Sequence, residues 1–245
     1  TRLTTLKQPI LMNIISGARS GGIGLKQRRA IPSSGRRLKS CSYSILWIMS
    51  TLLNIKNLHS FVDGRQILRG VSLKIGGGEA HVIMGPNGSG KSSLAMSIMG
   101  HPNYETRGEI IFGGKKLNGL TPEERARLGI FLGFQNPLAL EGVSFFSLMQ
   151  AAKKSPDVFG LRDEIAQRFS KIGLADDFIL RAVNDGASGG ERKKLELVQM
   201  QMLKPELAIF DEIDTGLDID ALKQIGQEIG ELKPKKVVIA GPGFT

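Results

Sequence analysis

Ala80-His81-Val82-Ile83-Met84-Gly85-Pro86-Asn87-Gly88-Ser89-Gly90-Lys91-Ser92-Ser93 is the stretch that decides the fold. The run up to Met84 reads as a buried strand, and Ser92 to Met99 has the apolar spacing of a helix. Between them, Gly85 to Ser92 fits G-x-x-x-x-G-K-[ST] in the strand–loop–helix context that the pattern needs. Glycines let the backbone curl until its N–H groups converge on an anion, and the helix start adds the favourable end of its dipole. Lys91 is expected to reach the β- and γ-phosphates of a nucleotide, and the Ser92 hydroxyl to ligate Mg²⁺. The expected nucleotide-binding set is Gly85, Pro86, Asn87, Gly88, Ser89, Gly90, Lys91, Ser92 and Ser93. A glycine-rich turn with a chance lysine is the bland alternative, and the flanking strand and helix weigh against it.

Working outward, strand-like and helix-like segments alternate. Leu52, Leu53, Ile55 and Leu58 suggest an edge strand, Asp63-Gly64 a turn, and Ile67-Leu68 and Val71 to Ile75 further strands. Ile110 to Phe112 and Ile130 to Leu132 are short strand candidates. Phe145 to Leu180 is mostly helical in pattern, with Leu161 to Ile172 its clearest amphipathic part, and Gly189 to Leu203 reads as another helix. Leu207 to Phe210 is a buried strand, Ile219 to Leu232 a helix, and Val237 to Ala240 a last buried strand. Such alternation predicts an α/β fold with a parallel core sheet. Residues 136–186 read as an inserted helical subdomain within a domain spanning 49–245.

The strand at Leu207 delivers Asp211 and Glu212 to the carboxyl edge of the sheet, where open α/β folds bind ligands. An Asp there suits a metal shell, and a neighbouring Glu can orient or deprotonate an attacking water. A capped turn is the alternative for two adjacent carboxylates; their company with the phosphate loop favours the catalytic reading.

The net charge of +10 suggests nucleic acid until its location is noticed. Nine of the 33 basic residues (Arg2, Lys7, Arg19, Lys26, Arg28, Arg29, Arg36, Arg37, Lys39) and none of the 23 acidic ones precede Met49. The body is therefore nearly neutral, which argues against a broad phosphate-tracking surface. Residues 1–48 fit a transit peptide, a disordered basic arm, or sequence upstream of a start at Met49, the last being the preferred expectation. The only cysteine, Cys41, and three scattered histidines exclude an internal disulfide or a cysteine-ligated metal site built by this chain alone. No apolar run approaches the roughly 18 residues of a membrane-spanning helix, so any membrane link is expected through a partner. A cytoplasmic location is expected, or an organellar stroma if residues 1–48 are a transit peptide.

Ser188-Gly189-Gly190-Glu191, standing shortly before the acidic strand, resembles the signature motif of ATP-binding-cassette (ABC) ATPases. Gln135 looks like that family's Q-loop glutamine and Thr215-Gly216-Leu217-Asp218 like its D-loop. The resemblance implies a P-loop NTPase fold of ABC type: a mixed or parallel core sheet flanked by helices, an antiparallel β part and the helical insertion. It implies that Mg-ATP is bound and hydrolysed, with Lys91, Gln135 and Glu212 catalytic and Ser92, Gln135 and Asp211 about the metal. Ser188, Gly189 and Gly190 would close over the γ-phosphate held by a second copy, with Asp218 linking the two sites of that homodimer. Ala187 departs from the Leu or Phe usual before the signature serine.

Within the family the chain is most similar to the SufC group, the ATPases of Suf iron–sulfur cluster assembly. Ala80 to Ser93, Gly133 to Pro137 with Gly142-Val143-Ser144, Ser188 to Lys194 and Asp211 to Leu222 carry that likeness, as does Val62 where many transporter ATPases have an adenine-stacking Tyr. The implied partners are SufB- and SufD-like scaffolds, with cluster assembly on the scaffold, since no cysteine follows Met49. Pro137, Leu138, Leu140, Val143, Phe145 and Phe146 are the candidate contact surface, although the two phenylalanines could equally be subdomain core. Transporter ATPase subunits share every catalytic motif and form the rival reading; a module acting on ribosomes or DNA is a weaker one. Gly241 stands where the family carries a switch histidine, and its closing helices do not follow, so a fragment and impaired hydrolysis are expected.

Overall fold

The computed structural model describes residues 4–8, 51–211 and 237–240, giving only the backbone path for 4–8, Ala80 and 237–240. In chain order the elements are β1 (Thr4–Gln8), β2 (Thr51–Val62), β3 (Arg65–Gly76), β4 (Ala80–Met84), α1 (Lys91–Met99), β5 (Glu105–Phe112), β6 (Lys115–Lys116), α2 (Pro122–Arg127), β7 (Ile130–Gly133) and β8 (Leu140–Ser144). There follow α3 (Phe145–Lys153), α4 (Val158–Lys171), a 3₁₀ turn (Asp176–Ile179), β9 (Ala182–Val183), α5 (Gly189–Leu203), β10 (Leu207–Asp211) and β11 (Val237–Ala240).

A five-stranded sheet runs β1-β4-β11-β10-β7, in which β4, β11, β10 and β7 are parallel and β1 is antiparallel on the outer edge of β4. Residues 1–48 thus contribute one described strand, with Lys7 opposite His81. The antiparallel part is ordered β3-β2-β5-β6. The edge strand expected at Leu52 to Leu58 is an inner one, β2, paired on both sides. Alternation of apolar residues reports which face of a strand is buried, not how many neighbours it pairs with. At the β2–β3 turn Asp63 and Gly64 both have positive φ, 49° and 75°, as a two-residue hairpin loop matching strand twist requires.

The antiparallel sheet, α1 and the parallel strands share one core, in which Leu53, Ile55, Ile75, Leu94, Ile98, Ile110, Leu207 and Ile209 are buried. A second core gathers Phe145 and Met149 of α3, Leu161, Ile165 and Phe169 of α4, and Leu195, Val198 and Met202 of α5. The Phe145 and Phe169 rings meet edge to face, 5.0 Å between centroids. Burying each such ring fully stabilises by about 1.5–3 kcal/mol. Eight of the 15 residues of α5 are buried, two of them charged, so this helix is the axle of the helical region. Among the described residues no helix is long and apolar enough to cross a membrane.

Candidate functional site

The loop after β4 is closed by its own lysine. Lys91 is 5 % exposed, and its Nζ donates to the carbonyls of Gly85 at 2.8 Å and Pro86 at 3.3 Å. Ser89 N–H donates to Pro86 O at 3.1 Å, while Ser89 Oγ is buried without a hydrogen-bond partner. Gly90 caps the start of α1 with a φ of 96° that no side chain adopts readily; a Cβ there would also lie 2.8 Å from Leu68 Cδ2. This helix start has no side-chain cap and no acidic residue in its first turn. Its leading N–H groups, the dipole end and a dry ammonium together lack the negative charge they would stabilise. Such a helix start is suited to an anion.

Strand register brings the other candidates level with the loop. Asp211 pairs with Ala240, and Ala240 with Ile83, two residues before Gly85. Phe210 pairs with Gly133, so the chain leaving β7 toward Phe134 and Gln135 departs from the same edge. Parallel strands expose their carboxyl ends on one side, which is why three separate sequence motifs converge there. Asp211 is 4 % exposed and its Oδ1 accepts no hydrogen bond. An orphaned buried carboxylate oxygen beside a phosphate cradle fits a hard cation such as Mg²⁺. Gln135 is exposed. Glu212 and Asp218 lie outside the described residues, as do the helix expected over Ile219 to Leu232 and Gly241.

Ser188 is the N-cap of α5. Its Oγ accepts from Glu191 N–H at 3.3 Å, and Glu191 Oε2 accepts from Ser188 N–H at 2.7 Å, a reciprocal capping box. The hydrogen bonds from Ser188 hold the Glu191 carboxyl below the ordinary carboxylate range. Ser188 and Gly189 are exposed, and a Cβ at Gly189 would meet nothing within 4 Å, so the face is open to a second molecule. Ala187, the departure from the family's pattern, is buried in the second core.

The segment around Gln135 is bound to that same helix. Phe134 N–H donates to Glu196 Oε1 at 2.6 Å, and Lys193 Nζ donates to Phe134 O at 2.5 Å. Asn184 Nδ2 donates to Leu138 O at 2.9 Å. Sequence reasoning missed all three side chains: a Lys and a Glu three apart on a helix ordinarily read as a solvated pair. Of the candidate contact residues, Leu138 is 82 % exposed and Leu140 and Val143 are also exposed. Phe145 is fully buried and is removed from the surface, while Phe146 is half-buried against the same core.

Residues 68–215 match the family model described as "ABC transporter". A probable ATP-dependent transporter of Synechocystis, slr0075, is 49% identical over 193 residues, 75% of each chain, and the probable ATP-dependent transporter ycf16 of Cyanophora paradoxa is 44% identical over 195, covering 76% of this chain and 75% of that one. A dimeric ATP-binding cassette, MJ0796, solved in a post-hydrolysis state with ADP and Pi, superposes with a TM-score of 0.66 at 21% identity, covering 78% of this chain and 88% of that one. The chain belongs to the ABC family of ATPases, with the P-loop NTPase fold and ATP hydrolysis that define it.

Proposed function

We propose that the chain binds Mg-ATP on the loop Gly85–Ser93 and acts as one half of a nucleotide-driven clamp whose closure does work on a bound partner. The observation that carries this reading is the convergence at one sheet edge of a closed, uncapped phosphate loop and the orphaned Asp211 carboxylate. In it, Lys91 exchanges its carbonyl partners for β- and γ-phosphate oxygens, and the Ser92 hydroxyl, Gln135 and Asp211 hold the metal and the attacking water. Glu212 is the general base. Bound Mg²⁺ neutralises charge developing on the phosphates. Ser188, Gly189 and Gly190 present their helix start to the nucleotide of a second copy, and Asp218 joins the two sites. ATP closes the pair by binding the closed arrangement more tightly than the open one. Turnover by the isolated chain is slow, because Gly241 stands where the family's switch histidine helps hold the γ-phosphate; Gly241→His should raise it.

The partner in this reading is a SufB- or SufD-like scaffold of iron–sulfur cluster assembly, gripping Leu138, Leu140 and Val143. Supporting it are the sequence likeness to the SufC group and the exposure of these three apolar side chains beside Gln135. The relatives, a probable ATP-dependent transporter in each case, favour a second reading, the ATPase subunit of a transporter. Affinity capture of the full chain from its source cells, with mass spectrometry of the proteins retained, separates the two. Soluble SufB- or SufD-like proteins support the scaffold reading; an integral-membrane permease overturns it and leaves the ATPase chemistry in place.

A further inference from the structure

Phe134 is held by both of its backbone polar groups from one helix. The Glu196 carboxylate accepts from its N–H at 2.6 Å and the Lys193 ammonium donates to its carbonyl at 2.5 Å. Both side chains are nearly dry, Glu196 7 % and Lys193 4 % exposed, with 3.6 Å between Nζ and Oε2. Buried ion pairs seldom stabilise a fold more than apolar residues of the same volume would, whereas charge-assisted bonds are short and fix geometry. The surroundings preserve the space: a Cβ on Gly133 would stand 3.1 Å from Glu196 Cδ and 2.6 Å from the Phe210 ring. Further along, Asn184 donates to Leu138 O, and β8 pairs with β9 through Leu140–Val183 and Ser144–Ala182. Residues 134–144 are therefore tied at one end to α5, which Ser188 begins, and at the other to the strand and loop that lead into Ser188.

We propose that Lys193 and Glu196 are positioning residues for ATP hydrolysis: they lock the segment carrying Gln135 to the helix begun by Ser188, so that the two motifs move as one unit. On the proposed reading Gln135 serves the site of its own chain and Ser188 that of a second copy, so the lock makes each copy report its nucleotide state to the other. The inference needs the ATPase activity of the family and is indifferent to whether the partner is a scaffold or a permease.

The test compares Glu196→Ala and Glu196→Gln in the full chain, by hydrogen exchange of the Phe134 and Gln135 amides and by steady-state ATP turnover per folded molecule. Losing a bond to a charged group should speed Phe134 exchange by about tenfold or more in Glu196→Ala. Misplacing Gln135 should lower kcat about 10- to 100-fold while KM for ATP stays within about twofold. Glu196→Gln keeps an acceptor oxygen and should restore both slow exchange and most of kcat. Should Glu196→Ala fail to fold, the double replacement Lys193→Met with Glu196→Leu removes both bonds and leaves no unpaired charge. Unchanged exchange, unchanged kcat despite fast exchange, a change confined to KM, or a Glu196→Gln as impaired as Glu196→Ala would each overturn the proposal.

Discussion

Asp211 stands level with Ile83 across the sheet, through Ala240 between them, and its Oδ1 is buried without a hydrogen bond. A buried carboxylate oxygen without a partner costs stability, and on the proposed reading a bound metal would offset that cost. Asp211→Asn should therefore be at least as stable as the parent chain in thermal unfolding without nucleotide. The same change should lower Mg-dependent ATP hydrolysis by about 10²-fold, the scale of losing several kcal/mol of electrostatic stabilisation. A variant that melts earlier and hydrolyses normally would make Asp211 a structural residue.

Gly189→Asp tests the shared site. The position is exposed and an added Cβ meets no atom within 4 Å, so folding should be unaffected. Its carboxylate would sit at a helix start already carrying Glu191, opposing the approach of a γ-phosphate from a second copy. ATP affinity of the single chain should stay within about twofold, while hydrolysis should fall by at least about tenfold, the order of one lost charge contact. Equilibrium binding and turnover measured on one preparation distinguish these effects.

Glu196 gives stability a pH dependence of defined sign. Burial pushes its carboxyl from the ordinary 4.5 up to about 7, against the opposing pull of Lys193. Between those values the folded chain binds a proton that the unfolded chain releases. The contribution is thus complete below about pH 4.5 and is lost as the pH rises through about 7. Denaturant unfolding across pH 5–8 should show this loss in the parent chain, and Glu196→Gln should flatten it.

Leu138, the most exposed of the candidate contact residues, separates docking from folding. Leu138→Asp should change stability by less than about 0.5 kcal/mol, as surface substitutions usually do. It should weaken scaffold binding by at least about tenfold if the side chain is an interface anchor. Titration calorimetry against a purified SufB- or SufD-like scaffold reads the second effect, and unchanged affinity would move the docking surface elsewhere.

The candidate loops were legible where local chain geometry creates them. Gly85 to Ser92 curls consecutive backbone groups around Lys91 and was found by its spacing, whereas Ser188 was found by its likeness to a family motif and its capping box with Glu191 came only with the structure. The strands delivering Asp211 and Gln135 were found by their apolar runs, because a strand buried in a parallel sheet has little else to display. Tertiary pairing was not legible. The inner place of β2 depends on partners distant in sequence, and the Lys193–Glu196 grip on Phe134 joins residues 59 and 62 apart. For Phe145, apolar character could not distinguish a docking face from a core; burial beside Phe169 decided it.

The most direct test of the central claim is a calorimetric titration of Mg-ATP into the full chain and into Lys91→Ala. One nucleotide per chain is predicted, with affinity weakened at least about tenfold in the variant, since a charge-assisted contact contributes about 1.5–3 kcal/mol. No binding by the parent chain, or equal binding by both proteins, would contradict the assignment of Gly85–Ser93 as the nucleotide cradle.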